Sequence, residues 1–150
     1  MLSSPRANPS NFDAAEFYAF ASWLNHTKPS LSSQVLRRTI IGRAYYAALI
    51  CASFATGAPT HGKDGHVNVV RALKQKNLNA GNKLDFLRLT RQNADYKASD
   101  ISSRDVDTSL QAALVVLKSL GKAPSGSSVF TSDFLDPNRF LSATAHRSEG

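Results

Sequence analysis

Stretches of alternating apolar and polar residues are almost missing from this chain, and without them a β-sheet has no face to bury. Cysteine is reduced to Cys51, which excludes a disulfide framework and any cysteine-built metal cluster, and points to a reducing compartment. The four histidines show no HxxxH spacing, so no protein metal site is expected. Phosphate-cradling glycine motifs are absent, as is the G-x-S-x-G of a nucleophile elbow, so neither a P-loop nor a dinucleotide cofactor is implied. The longest apolar run, Ile40 to Thr56, is interrupted by Gly42, Arg43 and Ser53, and MLSSPRANPSNF at the start carries no apolar core. A soluble cytoplasmic protein with no membrane span and no signal peptide is the expectation.

What the chain has is spacing of three and four, recurring from Asp13 to Leu120. The 150 residues, 42% hydrophobic, suffice for one core, and the pattern predicts an all-α, up-and-down bundle of four to five helices. A first helix follows Asn11 or Asp13 and turns Phe17, Phe20, Ala21 and Leu24 inward, ending near His26. A second starts near Ser32 or Ser33 and buries Val35, Leu36, Ile40, Ala44, Ala47, Cys51 and Phe54 before Gly57 and Pro59. Small residues in its middle, RAYYAALICASFA, allow close approach by neighbours. After the loop THGKDGH, a short third helix turns Val67, Val70 and Leu73 inward. A turn over residues 79–82 then leads into a fourth helix from Lys83 to about Tyr96. Ser102 or Ser103 caps a fifth, with Val106, Leu110, Ala113, Leu114 and Leu117 inward, ending at Gly121. Residues 1–12 and 122–150 read as tails around the 13–121 bundle. The C-terminal tail is rich in Ser, Pro and Gly, yet it carries apolar pairs, among them Phe134 with Leu135 and Phe140 with Leu141, that can dock on the body or on a partner.

Eighteen Lys and Arg against eleven Asp and Glu leave a formal +7, a charge that attracts a polyanion such as RNA or an acidic protein. The stretch RLTRQNADYK, residues 88–97, concentrates the question. At about 100° per residue Arg91 falls on the same side as Leu84, Leu87 and Ala94, so it faces packed surface. An Arg91–Asp95 pair on an exposed face contributes only about 0.3 to 0.5 kcal/mol. A guanidinium, carboxylate, amide (Asn93) and phenol (Tyr96) gathered at a groove instead form a candidate phosphate site, with Arg88 and Lys97 beside it. Arg43, near the bundle centre, is expected to pair with Asp95 or Asp85, since a buried unpaired guanidinium is costly. Tyr45 and Tyr46 are expected in core or interface packing.

The run RAYYAALICASFATG, the histidine-bearing loop THGKDGH, a spacer helix, then KLDFLRLTRQNADYK and a closing helix together resemble the HEPN domain (higher eukaryotes and prokaryotes nucleotide-binding). The likeness is to its small prokaryotic form, with "AYYA", "H-G" and "R-x-x-A-D-Y" in that order, and covers residues 13 to 121. It implies a homodimeric bundle found in toxin–antitoxin or phage-defence systems. Many such domains are metal-independent ribonucleases that use Arg-x4-6-His across a dimer cleft, and others pair with a minimal nucleotidyltransferase or another defence effector. Carried over, Arg91 matches the motif arginine and Tyr96 stands where the histidine would be. An unperturbed phenol, with a pKa of roughly 10, is a poor base at neutral pH. The proton group then has to come from elsewhere, His66 or His61 in the loop being the candidates. The expected catalytic set is Arg91, Asp95, Tyr96 and His66, with Arg88, Asn93, Arg43, His61 and Lys97 binding RNA or a nucleotide. No cofactor is expected. A non-catalytic HEPN module that dimerises and binds a partner protein is the alternative.

Overall fold

Side-chain caps written into the sequence set where three of the five helices begin. In the computed structural model, which describes residues 13–30 and 32–122, five helices follow one another: α1 (Glu16–Thr27), α2 (Ser33–Thr56), α3 (Gly65–Lys76), α4 (Leu78–Tyr96) and α5 (Ser103–Ser119). The Ser32 hydroxyl accepts from the Val35 amide and starts α2. Ser102 and Asp105 form a reciprocal capping box that starts α5. Gly57 ends α2 in the left-handed region at φ 75°, a conformation glycine adopts without steric cost. No strand occurs among the described residues, and the expected all-helical bundle is what forms. The two tails lie outside the described residues, as does the proposed cap Asn11. The helix α2 is long and apolar enough to cross a membrane by length and composition, and half of that window is buried within the bundle.

Buried side chains from all five helices make one core around α2, which contributes Leu36, Ile40, Ile41, Ala44, Tyr45, Ala47, Ala48, Leu49, Cys51 and Ala52. The buried stripe therefore has the expected phase but is wider, and its two ends differ. Val35 and Phe54 are exposed, Phe54 at 71%; at about 100° per residue Val35 falls on the side of α2 opposite Ala44. In α1 the inward residues are Tyr18, Ala21 and Leu24, while Phe20 is exposed and stacks on Trp23. In α3 Val69 is buried and Val67 is exposed.

The α3–α4 connection departs most from expectation. No turn occupies 79–82. Asn77 closes α3, and its side-chain oxygen accepts from the Ala80 amide to open α4, so the chain reverses at one residue. Gly81, inside α4, makes this possible. A Cβ there would lie 2.6 Å from the Lys74 nitrogen and 2.7 Å from its Cα, distances that only moving backbone could relieve. At the other end of α4, Arg38 of α2 donates to the carbonyls of Ala94, Lys97 and Ser99, satisfying acceptors that a helix terminus leaves open. Gln34 and Arg37 donate to the Ile101 carbonyl, and the Ile101 amide donates to Gln34 Oε1.

The two helical glycines predict opposite outcomes. Gly81→Ala forces the hairpin apart and should cost about 1 to 3 kcal/mol. Gly42→Ala, where a Cβ meets nothing within 4 Å, should be neutral or stabilise by up to about 1 kcal/mol. Urea denaturation of the two variants beside the wild type reads both, and equal midpoints for the two would refute the close-approach account.

Candidate functional site

Arg91 sits on the inner side of α4, and its guanidinium carbon lies 5.4 Å from the centroid of the Tyr46 ring on α2. Its Nε is 2.6 Å from Asp95 Oδ2. That nitrogen is buried and not aligned for a hydrogen bond, so the contact is an ion pair at close range and not a directed bond. One turn earlier, Arg88 holds Asp85 through Nε (3.0 Å) and Nη2 (2.9 Å), and Lys74 of α3 reaches the other Asp85 oxygen at 3.3 Å. Burial alone would raise the Asp85 carboxyl. The hydrogen bonds from Arg88 and Lys74, with their charges, nevertheless hold it below its ordinary 3.8.

The first turn of α3 brings His66 to the same place. Gly65 permits this, because a Cβ at that position would strike the Thr60 carbonyl as the loop closes against the helix. His66 Nδ1 lies 2.9 Å from the Tyr45 hydroxyl, and the imidazole meets the Tyr45 and Tyr46 rings edge-on at 5.8 and 6.3 Å. Burial lowers the His66 pKa from 6.5, and the charges of Arg91 and Arg88 lower it further. Burial likewise raises the Tyr45 phenol far above 10, with Arg88 and Arg91 opposing only in part. Both partners are therefore neutral at pH 7. A neutral phenol can donate or accept, so either imidazole tautomer is accommodated, and Nε2 remains for chemistry.

Arg43 does not pair with Asp95 or Asp85. Those carboxylates are taken by Arg91 and by Arg88 with Lys74. The Arg43 guanidinium instead lies over Phe17 (5.2 Å) and Tyr46 (5.8 Å), an aromatic contact that replaces the expected ion pair. Tyr46 thus has guanidinium groups from two helices near its ring.

The structure gathers His66, Arg91, Asp95, Arg88 and Arg43 around Tyr45 and Tyr46. It leaves Tyr96, Asn93, His61 and Lys97 on the exposed surface, with Tyr96 at 78% exposure in the last residue of α4. The Lys97 carbonyl serves the Arg38 contact. Sequence reasoning gave Tyr45 a packing role only. It missed Lys74, whose spacing from Asp85 becomes visible only once the hairpin register is known. Among the described residues no three His, Cys, Asp or Glu side chains gather as metal ligands do. A cavity of about 350 Å³ lined by Asn25, Lys28, Leu36, Arg37 and Val106 shares no residue with the cluster.

Compared with models of known protein families, with curated proteins and with solved structures, the chain matches none.

The sign of the His66 effect on stability follows from its lowered pKa. Between its folded value and 6.5 the unfolded chain binds the extra proton, so the stabilising contribution is complete above 6.5 and is lost as pH falls through the folded value. His66→Gln should flatten stability between about pH 7 and pH 5 relative to wild type. In imidazole NMR titrations, Arg91→Ala should move the His66 midpoint upward toward 6.5. An unmoved midpoint would mean that the two groups do not sense each other.

Proposed function

We propose that this chain is a HEPN-like RNA-acting module whose site is centred on His66, Arg88 and Arg91, and that it cleaves RNA without a metal. The observation that carries the reading is the placement of His66. A neutral imidazole, tied at Nδ1 to Tyr45, stands within electrostatic reach of two arginines. It offers the proton group that Tyr96 cannot. The charge distribution supports the same substrate class: residues 61–96 hold seven Lys and Arg against three Asp and Glu, a basic hairpin suited to a phosphate backbone.

In this mechanism His66 donates its Nδ1–H to the Tyr45 hydroxyl, which leaves Nε2 unprotonated to take the proton of an RNA 2′-hydroxyl. The 2′-oxygen attacks the adjacent phosphorus, the P–O5′ bond breaks, and the departing 5′-oxygen takes a proton from water. His66 then releases the proton it accepted. The guanidinium nitrogens of Arg88 and Arg91 not engaged by Asp85 and Asp95 hold the non-bridging oxygens as charge builds there. Products carry a 2′,3′-cyclic phosphate and a 5′-hydroxyl. In the same reading the protein works as a homodimer within a toxin–antitoxin or phage-defence system.

A second reading is favoured by one observation. Both arginines already face carboxylates at 2.6 and 2.9 Å, and compensated charge suits a module that binds RNA, or a nucleotidyltransferase or other effector protein, without cleaving anything. Incubation with a mixed RNA pool in EDTA separates the two. Cleavage is expected to leave cyclic-phosphate ends, and His66→Ala and Arg91→Ala should each slow it by about 10²-fold or more. RNA left intact but retained, with retention lost in Arg91→Ala, would establish the binding module instead.

A further inference from the structure

The outer side of α4 carries bare apolar side chains, interrupted by Asn82 and Asn93. At about 100° per residue Leu78, Leu89 and Tyr96 fall nearly in line, with Phe86 to one side, and their exposures are 64, 49, 78 and 43%. No helix of the bundle covers this stripe. Its borders carry a cationic excess: Lys83 and Lys97 lie on one side, and on the α3 side Lys74 and Arg88 outweigh the Asp85 they hold by one charge. Two copies of this face would bring like charges together, which disfavours pairing with itself. An acidic apolar segment fits it.

The chain supplies such a segment. In DFLDPNRFL, residues 133–141, two apolar pairs alternate with Asp133 and Asp136 against a single Arg139. The geometry also places the chain's exit correctly. The helix α5 runs antiparallel to α4, so it ends beside the start of the stripe. Lys76 donating to the Ala55 carbonyl at 2.8 Å sets the α3–α4 reversal at the C-terminal end of α2, and Lys122 acts electrostatically on Cys51 at that same end. Ten residues separate Lys122 from Asp133 and reach up to about 35 Å extended, more than the roughly 28 Å length of α4.

We propose that residues 133–141 fold back along the exposed stripe of α4, seating Phe134, Leu135, Phe140 and Leu141 on Leu78, Phe86, Leu89 and Tyr96, with Asp133 and Asp136 against the lysine border. This docking is independent of whether the neighbouring cluster cleaves RNA.

The test uses the full chain with Cys51→Ala and a nitroxide attached at Ser132→Cys. Paramagnetic broadening of the Phe86, Leu89 and Tyr96 resonances is expected. It should be lost in Leu89→Asp, a surface change that leaves the core intact, and reduced at least severalfold in Asp133→Lys with Asp136→Lys. Mixing spin-labelled chains with unlabelled isotopically enriched ones should give no broadening. Absence of broadening in the spin-labelled Cys51→Ala, Ser132→Cys chain, its survival in Leu89→Asp, or its appearance only between chains would each overturn the proposal, the last in favour of a second copy.

Discussion

Close packing against the centre of α2 is the constraint on which the rest depends. Ala44, Ala47 and Ala48 are fully buried there, and their small side chains let α3 and α4 lie near enough for single side chains to bridge the gaps. Tyr45 is the large residue in this narrow stretch. Its ring fills core space while its hydroxyl reaches the edge of the bundle, where His66 takes it. A wider spacing would leave the phenol unsatisfied at a cost of about 1 to 3 kcal/mol. Packing, hydrogen bonding and the position of the imidazole are thus one arrangement.

The charges follow from the same closeness. Arg91 is directed inward by its place on α4, and three features make a partly buried guanidinium tolerable: the Asp95 carboxylate, the face of Tyr46 and residual solvent. Among the described residues Arg43 lies over the faces of Phe17 and Tyr46, while Asp85 and Asp95 are held by other cations. The outcome is a site with more guanidinium than carboxylate around a neutral histidine, an arrangement that keeps imidazole basic chemistry available at neutral pH and adds attraction for an anion.

Much of the fold was legible because helix starts depend on local chemistry. Ser32 and Ser102 announce their helices through side-chain acceptors, and the inward phase of α2 and α5 follows from spacing alone. What local chemistry does not encode is which side of each helix its neighbours cover. Phe20, Val35, Phe54 and Val67 therefore read as core and are exposed. The arginines of the cluster were legible for a related reason: a charge on an apolar face is visible in a helical projection. Of their partners, His66 was named through the family resemblance, whereas the Tyr45 hydroxyl that holds it and Lys74 were not, since which residues meet across helices depends on register.

Register also decides which part of α4 His66 meets. A turn over 79–82 has its midpoint between Ala80 and Gly81, and an antiparallel hairpin folded there sets His66 opposite Asp95, next to Tyr96. The reversal instead occurs at Asn77, and counting eleven residues back reaches His66 while counting eleven forward reaches Arg88. The shift moves the imidazole two turns along α4, away from the exposed end and onto the partly buried arginines. Two residues set it. Asn77 supplies a cap that ends one helix and starts the next, and Gly81 allows the backbones to pass where any Cβ would collide with Lys74. The glycine that reads as a turn signal in the sequence acts as a spacing device inside a helix. The chemistry available to this cluster is fixed by that register, through residues that never touch it.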